Sequence, residues 1–168
     1  LRRGGPPRPA HRAAVAALIL PRPRAAPPAD VAAEQARIDR ADAVVLVFPV
    51  YWWSMPGLLK GWIDRVFSNG WAFDFSLDGG LEKKLGHLKV HLIGVGGADA
   101  RTYTRRGYFD AMKTQIDHGI FDYCGACVVT SELLLDSETQ DPAIHLDRAR
   151  TIGSRLFEAS PLCGMQAA

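Results

Sequence analysis

The sequence lacks any apolar run of the roughly 18 residues needed to cross a bilayer, so we expect no membrane span. The apolar stretch Ala13 to Leu20 is too short, and no small-residue cleavage signal follows it. These absences favour a cytoplasmic location. Cysteine is also scarce, and the odd number of three argues against a disulfide-stapled secreted domain.

Acidic residues are missing from positions 1–29, which contain six Arg and seven of the eleven Pro. This irregular, basic head is predicted to be disordered or non-native. Our interpretation is that the natural start was lost or translated out of frame; a flexible tail or a targeting peptide are the alternatives. The remainder has 14 Lys and Arg against 18 Asp and Glu, a net charge of −4. This composition does not predict binding to nucleic acid.

From Asp30 onward, helix-like and strand-like segments alternate, which predicts one α/β domain with a parallel sheet over residues 30–160, then a tail at 161–168. Strands are expected at 43–48, at 88–95 and between 123 and 135; helices are expected at 34–40 with Asp30 as cap, from Pro56 to about 68, at 106–117 and at 142–157. The first strand is apolar without alternation, which is typical of a strand covered on both faces.

Two of these helices show a buried stripe at helical spacing. In the helix that Pro56 opens, the inward residues are predicted to be Leu58, Leu59, Trp62, Ile63 and Val66. On its polar side Lys60 and Asp64 are four residues apart and can form an ion pair. In the last helix the inward residues are predicted to be Leu146, Ala149, Ile152 and Leu156.

Two loops follow the carboxyl ends of predicted strands, at 49–56 and 94–103, where open parallel sheets bind their ligands. The first contains Tyr51, Trp52 and Trp53, which could stack against a planar cofactor. They could equally be core or dimer-interface aromatics.

The stretch FPVYWWSMPGLLKGWIDRVFSNGWAF, residues 48–73, resembles the signature of the flavodoxin-like NAD(P)H:quinone oxidoreductase family. It is also similar to the ancillary flavoprotein of glutathione-gated potassium-efflux systems. The resemblance implies a flavodoxin-like three-layer α/β sandwich. It also implies that the flavin ring contacts Pro49, Val50, Tyr51, Trp52 and Trp53.

The second loop resembles the family's glycine pair, which implies that Gly96 and Gly97 let the backbone approach the flavin. Tyr103 follows where the family often places a tyrosine that hydrogen-bonds flavin or substrate, and it is our candidate catalytic residue. Some family members carry an active-site histidine a few residues later, where this chain has Phe109.

The resemblance implies a two-electron reaction in which NAD(P)H reduces bound FAD or FMN, and a quinone or similar acceptor is then reduced at the same place. It further implies a homodimer with the site at the interface. The family's first strand and phosphate-binding loop cannot be read in the head. The alternative function is a non-catalytic remnant or a regulatory ancillary subunit of a membrane transport system.

Cys124 and Cys127 form a CxxC pair, which could be a redox dithiol or half of a zinc site. No second ligand pair is present, and residues three apart on a strand face opposite sides. We therefore expect both to act as small buried apolar residues, and we predict no metal site.

Overall fold

The computed structural model describes residues 26–158. The predictions for residues 1–25 and for the tail at 161–168 lie outside this range. Within it, the elements in chain order are α1 (Ala29–Asp39), β1 (Ala43–Pro49), α2 (Gly57–Val66), β2 (Phe73–Ser76), β3 (Gly80–Lys83), β4 (Lys89–Val95), α3 (Ala100–Arg106), α4 (Tyr108–Met112), a π-helix (Lys113–Asp122), β5 (Cys127–Leu134) and α5 (Pro142–Ser154). None of the helices in this range has the length and apolar character needed to span a bilayer.

The centre of the domain is a parallel sheet of three described strands in the order β1–β4–β5. Alternate residues of β4 point to opposite faces: Val90 and Leu92 pack with α2 and the π-helix, whereas Ile93 packs against Ile152 of α5. Helices on both faces give the predicted three layers, and the α/β class with a parallel sheet is confirmed.

The prediction that β1 is covered on both faces is wrong for the described residues. Val44, Leu46 and Phe48 face the main core, but on the other face the side chains of Val45 and Val47 are 41% and 64% exposed. The reason is that α5 packs against Ile93 and Leu134, on β4 and β5.

The helix after Pro56 agrees with the sequence in most respects. Ile63 and Val66 are buried, and the Lys60 ammonium lies 2.6 Å from the Asp64 carboxylate. Leu58 does not follow the prediction, because it is 90% exposed in the first turn of α2. Leu146 of α5 is likewise half exposed rather than inward, so Ile152 is the buried residue of that helix.

Three boundaries were wrong. Pro28, and not Asp30, precedes α1; Asp30 lies in the first turn, where its carboxylate accepts a hydrogen bond from Arg65 at 2.7 Å. The helix expected at 106–117 instead begins at Ala100, because the Asp99 carboxylate accepts from the Thr102 backbone N–H at 2.8 Å. Helical structure then continues to residue 122. The antiparallel strands β2 and β3, which a turn at 77–79 connects, were not predicted from the sequence.

His91 is a buried polar residue on β4, with 1% of its surface exposed. Its Nδ1 lies 3.0 Å from Thr130 Oγ1, and its Nε2 has no hydrogen bond of good geometry within the described chain, although the backbone of Leu156 is nearby. Burial lowers the pKa of His91, the Leu156 carbonyl opposes this, and the charge of Lys89 lowers the pKa further.

This burial predicts a pH-dependent stability. The unfolded chain binds a proton at His91 below about pH 6.5, its ordinary pKa, whereas the folded chain resists protonation until lower pH. The free energy of unfolding should therefore fall as the pH drops from 6.5 towards 5, with a slope of at most about 1.4 kcal/mol per pH unit from this group. Urea titrations at several pH values measure it.

The His91→Leu variant removes the titrating group and should flatten this slope, while the exposed His87→Gln variant controls for loss of a histidine. An unchanged slope in His91→Leu would show that the pH dependence comes from other groups.

Candidate functional site

The two loops singled out from the sequence meet at the carboxyl end of the sheet. β1 and β4 run in parallel, and their last residues, Pro49 and Val95, are register partners. The pairing continues one residue further, where the Val50 N–H donates to the Val95 carbonyl at 2.8 Å. The strand ends therefore place residues 50–55 directly beside residues 96–99, in the crevice where open parallel sheets hold ligands.

The first loop is a tight turn from Tyr51 to Ser54. Each of these two residues donates its backbone N–H to the other's carbonyl, both at 3.0 Å. The two central residues have positive φ, +49° at Trp52 and +59° at Trp53, which is the pattern of a type I′ turn. Glycine and asparagine usually occupy these positions, and each bulky residue there costs on the order of 1–3 kcal/mol.

Contacts from the α4 region stabilise this turn. The Trp53 ring stacks on Tyr108 with centroids 3.8 Å apart and planes 11° apart, and it meets Tyr103 edge to face at 5.4 Å. The Ser54 hydroxyl donates to Gln115 Oε1 of the π-helix at 2.6 Å. Trp52, by contrast, is 93% exposed.

The second loop requires glycine because of close approach. A Cβ placed on Gly96 would lie 2.9 Å from the Tyr103 hydroxyl oxygen and 3.1 Å from Leu135 Cδ2. A Cβ on Gly97 would lie 3.2 Å from Glu138 Oε1. The absence of side chains at both positions accommodates Tyr103, Leu135 and Glu138, and backbone of both glycines lines the cavity described below.

The loop after β5 supports the glycine pair from behind. The Gly96 N–H donates to the Leu134 carbonyl at 2.9 Å, and the Ser137 N–H donates to the Gly96 carbonyl at 3.1 Å. Asp136 has φ of +57°, and its N–H donates to the Ala98 carbonyl at 3.3 Å. Sequence reasoning missed this third loop, although it follows the carboxyl end of a parallel strand as the other two do.

Tyr103 is buried beneath the two loops, with 1% of its surface exposed. Tyr103 lines the cavity described below, so its hydroxyl can donate a hydrogen bond to a ligand there. Burial raises the pKa of Tyr103, so the phenol keeps its proton at neutral pH. Its ring also contacts Phe109 at a centroid distance of 5.2 Å.

A cavity of about 160 Å³ joins these features. It is lined by Val50, Trp52, Trp53, Gly96, Gly97, Ala98 and Tyr103. Six of the eight residues predicted from the sequence thus lie around one space. Pro49, at the end of β1, and the exposed Tyr51 flank the cavity without lining it.

The cavity has the surfaces that the edge of a flat aromatic ring with polar acceptor atoms requires. Indole rings stand on one side, side-chain-free backbone lies on the other, and a protonated phenol lies beneath. These residues fit an isoalloxazine edge. The predicted absence of a phosphate-binding loop concerns residues outside the described range.

The family model described as the flavodoxin-like fold matches residues 5–155. The chain belongs to this family. The predicted flavodoxin-like class is thereby confirmed, and the cavity lies where the parallel sheet of such a fold binds its ligand.

Relatives of this flavodoxin-like chain include named quinone dehydrogenases. It is 37% identical over 110 residues to ribosyldihydronicotinamide dehydrogenase [quinone] of Pongo abelii, covering 62% of this chain and 46% of the relative. It is 32% identical over 142 residues to NAD(P)H dehydrogenase [quinone] 1 of Rattus norvegicus, covering 79% and 50%. The chain therefore spans about half the length of these curated relatives. A shorter match, 59% over 44 residues, covers 26% of the chain and 25% of the glutathione-regulated potassium-efflux system ancillary protein KefF of an Enterobacter strain.

Solved structures that resemble this chain include a quinone oxidoreductase and a protein bound to FMN. The NAD(P)H:quinone oxidoreductase from Methanothermobacter marburgensis superposes with a TM-score of 0.71 at 29% identity, covering 79% of this chain and 67% of that one. The general stress protein 14 from Treponema denticola, solved in complex with FMN, gives 0.57 at 31% identity, with coverages of 76% and 71%.

The CxxC pair of this flavodoxin-like domain lies away from the cavity. Cys124 is a free thiol and 3% exposed, and burial raises its pKa to about 11. Cys127 is also buried, with 6% of its surface exposed. Because Cys124 is free, the two cysteines do not form a dithiol–disulfide couple with each other. Residues 26–158 contain no group of three or more His, Cys, Asp or Glu side chains that could hold a metal.

The close approach at Gly96 gives a stability prediction. We expect Gly96→Ala to lower the free energy of unfolding by about 1–3 kcal/mol, because the added methyl group overlaps the Tyr103 hydroxyl and Leu135. Gly153→Ala is the matched control: it has no atom within 4 Å of the added Cβ and lies in α5, so it should be neutral or stabilising by up to about 1 kcal/mol. Denaturant titration measures both. Equal stability of Gly96→Ala and wild type would contradict the proposed crowding.

Proposed function

We propose that this chain is a flavin-dependent NAD(P)H oxidoreductase that reduces quinones or similar acceptors by two-electron hydride transfer. The observation that carries the proposal is the cavity at the carboxyl end of the sheet that the Trp52–Trp53 turn, the Gly96–Gly97 pair and Tyr103 line together. The names of the relatives and the FMN complex of one structural neighbour support the same chemistry.

Bound FAD or FMN would supply the chemistry of accepting hydride from NAD(P)H and passing two electrons to the acceptor. The chain's own contribution is positioning. Val50, Trp52 and Trp53 would contact the ring from one side, with Pro49 and Tyr51 at the end of the crevice. Gly96 and Gly97 would admit its edge, and their backbone groups could hydrogen-bond its polar atoms.

The Tyr103 hydroxyl would donate a hydrogen bond to the ring or to the acceptor. Burial keeps this phenol protonated, so it acts as a hydrogen-bond donor at neutral pH. Phe109, which packs against Tyr103, carries no titratable group. Position 109 therefore cannot supply a proton to the acceptor.

We further propose that the chain works as a homodimer in the cytoplasm, with the cavity near the interface. Tyr51 and Trp52 are 59% and 93% exposed at the rim of the cavity, and Leu58 is exposed on the next turn of the chain. Large apolar side chains grouped in this way mark surfaces that another molecule covers. Light scattering coupled to size exclusion measures the stoichiometry, and a monomer at all accessible concentrations would refute it.

The first test is the visible spectrum of the purified chain, alone and with added FMN or FAD. We expect flavin absorption bands that NAD(P)H bleaches and that a quinone restores. A chain that remains colourless in excess flavin would refute the proposal.

Trp52 allows a sharper test because its substitution should not disturb the fold. We expect Trp52→Ala to weaken flavin binding by roughly two- to tenfold, since aromatic contacts contribute about 0.5–1.5 kcal/mol beyond burial. Phe157→Ala, which removes another exposed aromatic side chain, should leave the affinity unchanged. Fluorescence titration of FMN measures both, and equal affinities for wild type and Trp52→Ala would remove Trp52 from the site.

The second candidate is a regulatory ancillary subunit of a membrane transport system. This candidate is supported by the 59% identity to the potassium-efflux ancillary protein, which extends over 44 residues. The two functions differ in turnover. Steady-state oxidation of NAD(P)H by the isolated chain favours the enzyme, whereas flavin binding without turnover favours the ancillary role.

A further inference from the structure

The π-helix, Lys113–Asp122, does not line the cavity but contacts the aromatic turn through Gln115. Helices of this type are rare and occur frequently at functional sites. Its i to i+5 pattern is visible at its end, where the Tyr123 N–H donates to the His118 carbonyl at 3.0 Å. Gln115, in its first turn, accepts the hydrogen bond from the Ser54 hydroxyl, which comes from a residue 61 positions earlier in the sequence.

This hydrogen bond ends on a turn that local sequence does not favour. Trp52 and Trp53 both occupy the left-handed region without a glycine or asparagine to ease it. The Trp53 ring is held by Tyr108, but the exposed Trp52 has little packing of its own. The side chain of Ser54, at the exit of the turn, is therefore the one polar side-chain anchor that the described residues provide between this turn and the rest of the domain.

The side chain of Gln115 is exposed, but the backbone that carries it is anchored by its neighbours. The next two residues, Ile116 and Asp117, are 3% and 7% exposed and face the interior. The Asp117 carboxylate accepts a hydrogen bond from the Ser131 hydroxyl of β5 at 3.1 Å. These contacts hold the first turn of the π-helix against the sheet, so Gln115 presents its acceptor from a rigid base.

We propose that Gln115 is a positioning residue: through Ser54 it holds the Trp52–Trp53 turn in the left-handed geometry in which both indoles line the cavity. Its effect on the shape of the turn stands on the geometry alone. Its effect on flavin affinity rests on the proposed function.

The shape of the turn is tested without any flavin. Full-length chain labelled with ¹⁵N has four indole N–H signals, and those of Trp52 and Trp53 are assigned by substitution to Phe. Trp62 and Trp71 serve as internal references, because their indole N–H groups donate to Glu34 and Asp39 at 3.2 and 3.0 Å, away from the turn.

Three variants separate the hydrogen bond from other effects. Gln115→Met has a similar length but no acceptor, Ser54→Ala has no donor, and Gln115→Glu keeps an acceptor oxygen. We expect Gln115→Met and Ser54→Ala to shift the Trp52 and Trp53 signals in the same way, with no further shift in the double variant. Gln115→Glu should restore the wild-type positions, and the reference signals should not move.

Flavin affinity is the second readout. Gln115→Met should weaken FMN binding by about three- to tenfold, the range that loss of one neutral hydrogen bond gives, with Gln115→Glu within about twofold of wild type. Unmoved Trp52 and Trp53 signals in Gln115→Met would overturn the proposal. The proposal would also be overturned if the wild type binds FMN and Gln115→Met shifts the Trp52 and Trp53 signals but leaves the FMN affinity unchanged. If the wild type binds no flavin, the proposed function fails, and the indole signals alone decide the role of Gln115.

Discussion

The parallel hydrogen bonding between β1 and β4 is the constraint on which the candidate site depends. This hydrogen bonding continues past the last paired residues to the Val50 N–H, so the position at which the aromatic turn leaves the sheet is fixed. Residues 96 and 97 follow the end of β4 at the same level along the strands, and the Gly96 N–H donates to the Leu134 carbonyl of β5. The two walls of the cavity are thus set by strand register, and a slip of one residue would turn every side chain to the other face.

The backbone of the aromatic turn is strained at Trp52 and Trp53. Two consecutive tryptophans with positive φ cost on the order of 2–6 kcal/mol together, which no local interaction offsets fully. Stacking on Tyr108 and the edge contact with Tyr103 contribute about 0.5–1.5 kcal/mol each beyond burial. The strained geometry therefore depends on contacts from α3, α4 and the π-helix, so the aromatic wall and the helical segment after the glycine loop form one unit.

Sequence reasoning reached the parts of the site that depend on composition and strand ends, and missed those that depend on tertiary packing. The apolar strands and the aromatic loop could be read directly, and the resemblance pointed to Gly96, Gly97 and Tyr103, which line the cavity. The left-handed Trp52–Trp53 turn could not be predicted, because neither residue is a turn former. Gln115 is an ordinary polar residue in a helical stretch, and only the fold places it beside Ser54. Leu58 and Val47 have apolar patterns but open surroundings, which periodicity alone cannot reveal.

The chemistry at the site follows from how burial is distributed around it. Tyr103 is nearly inaccessible and keeps its proton, whereas Trp52, at the rim of the cavity, is almost fully exposed. A flat ring entering from solvent would meet the exposed indole first and the buried hydroxyl last. Because Tyr103 lines the cavity and keeps its proton, a ligand acceptor that reaches its hydroxyl can accept a hydrogen bond from it. The cavity therefore favours a ring with a polar acceptor at its inner edge over a purely apolar ring of the same size.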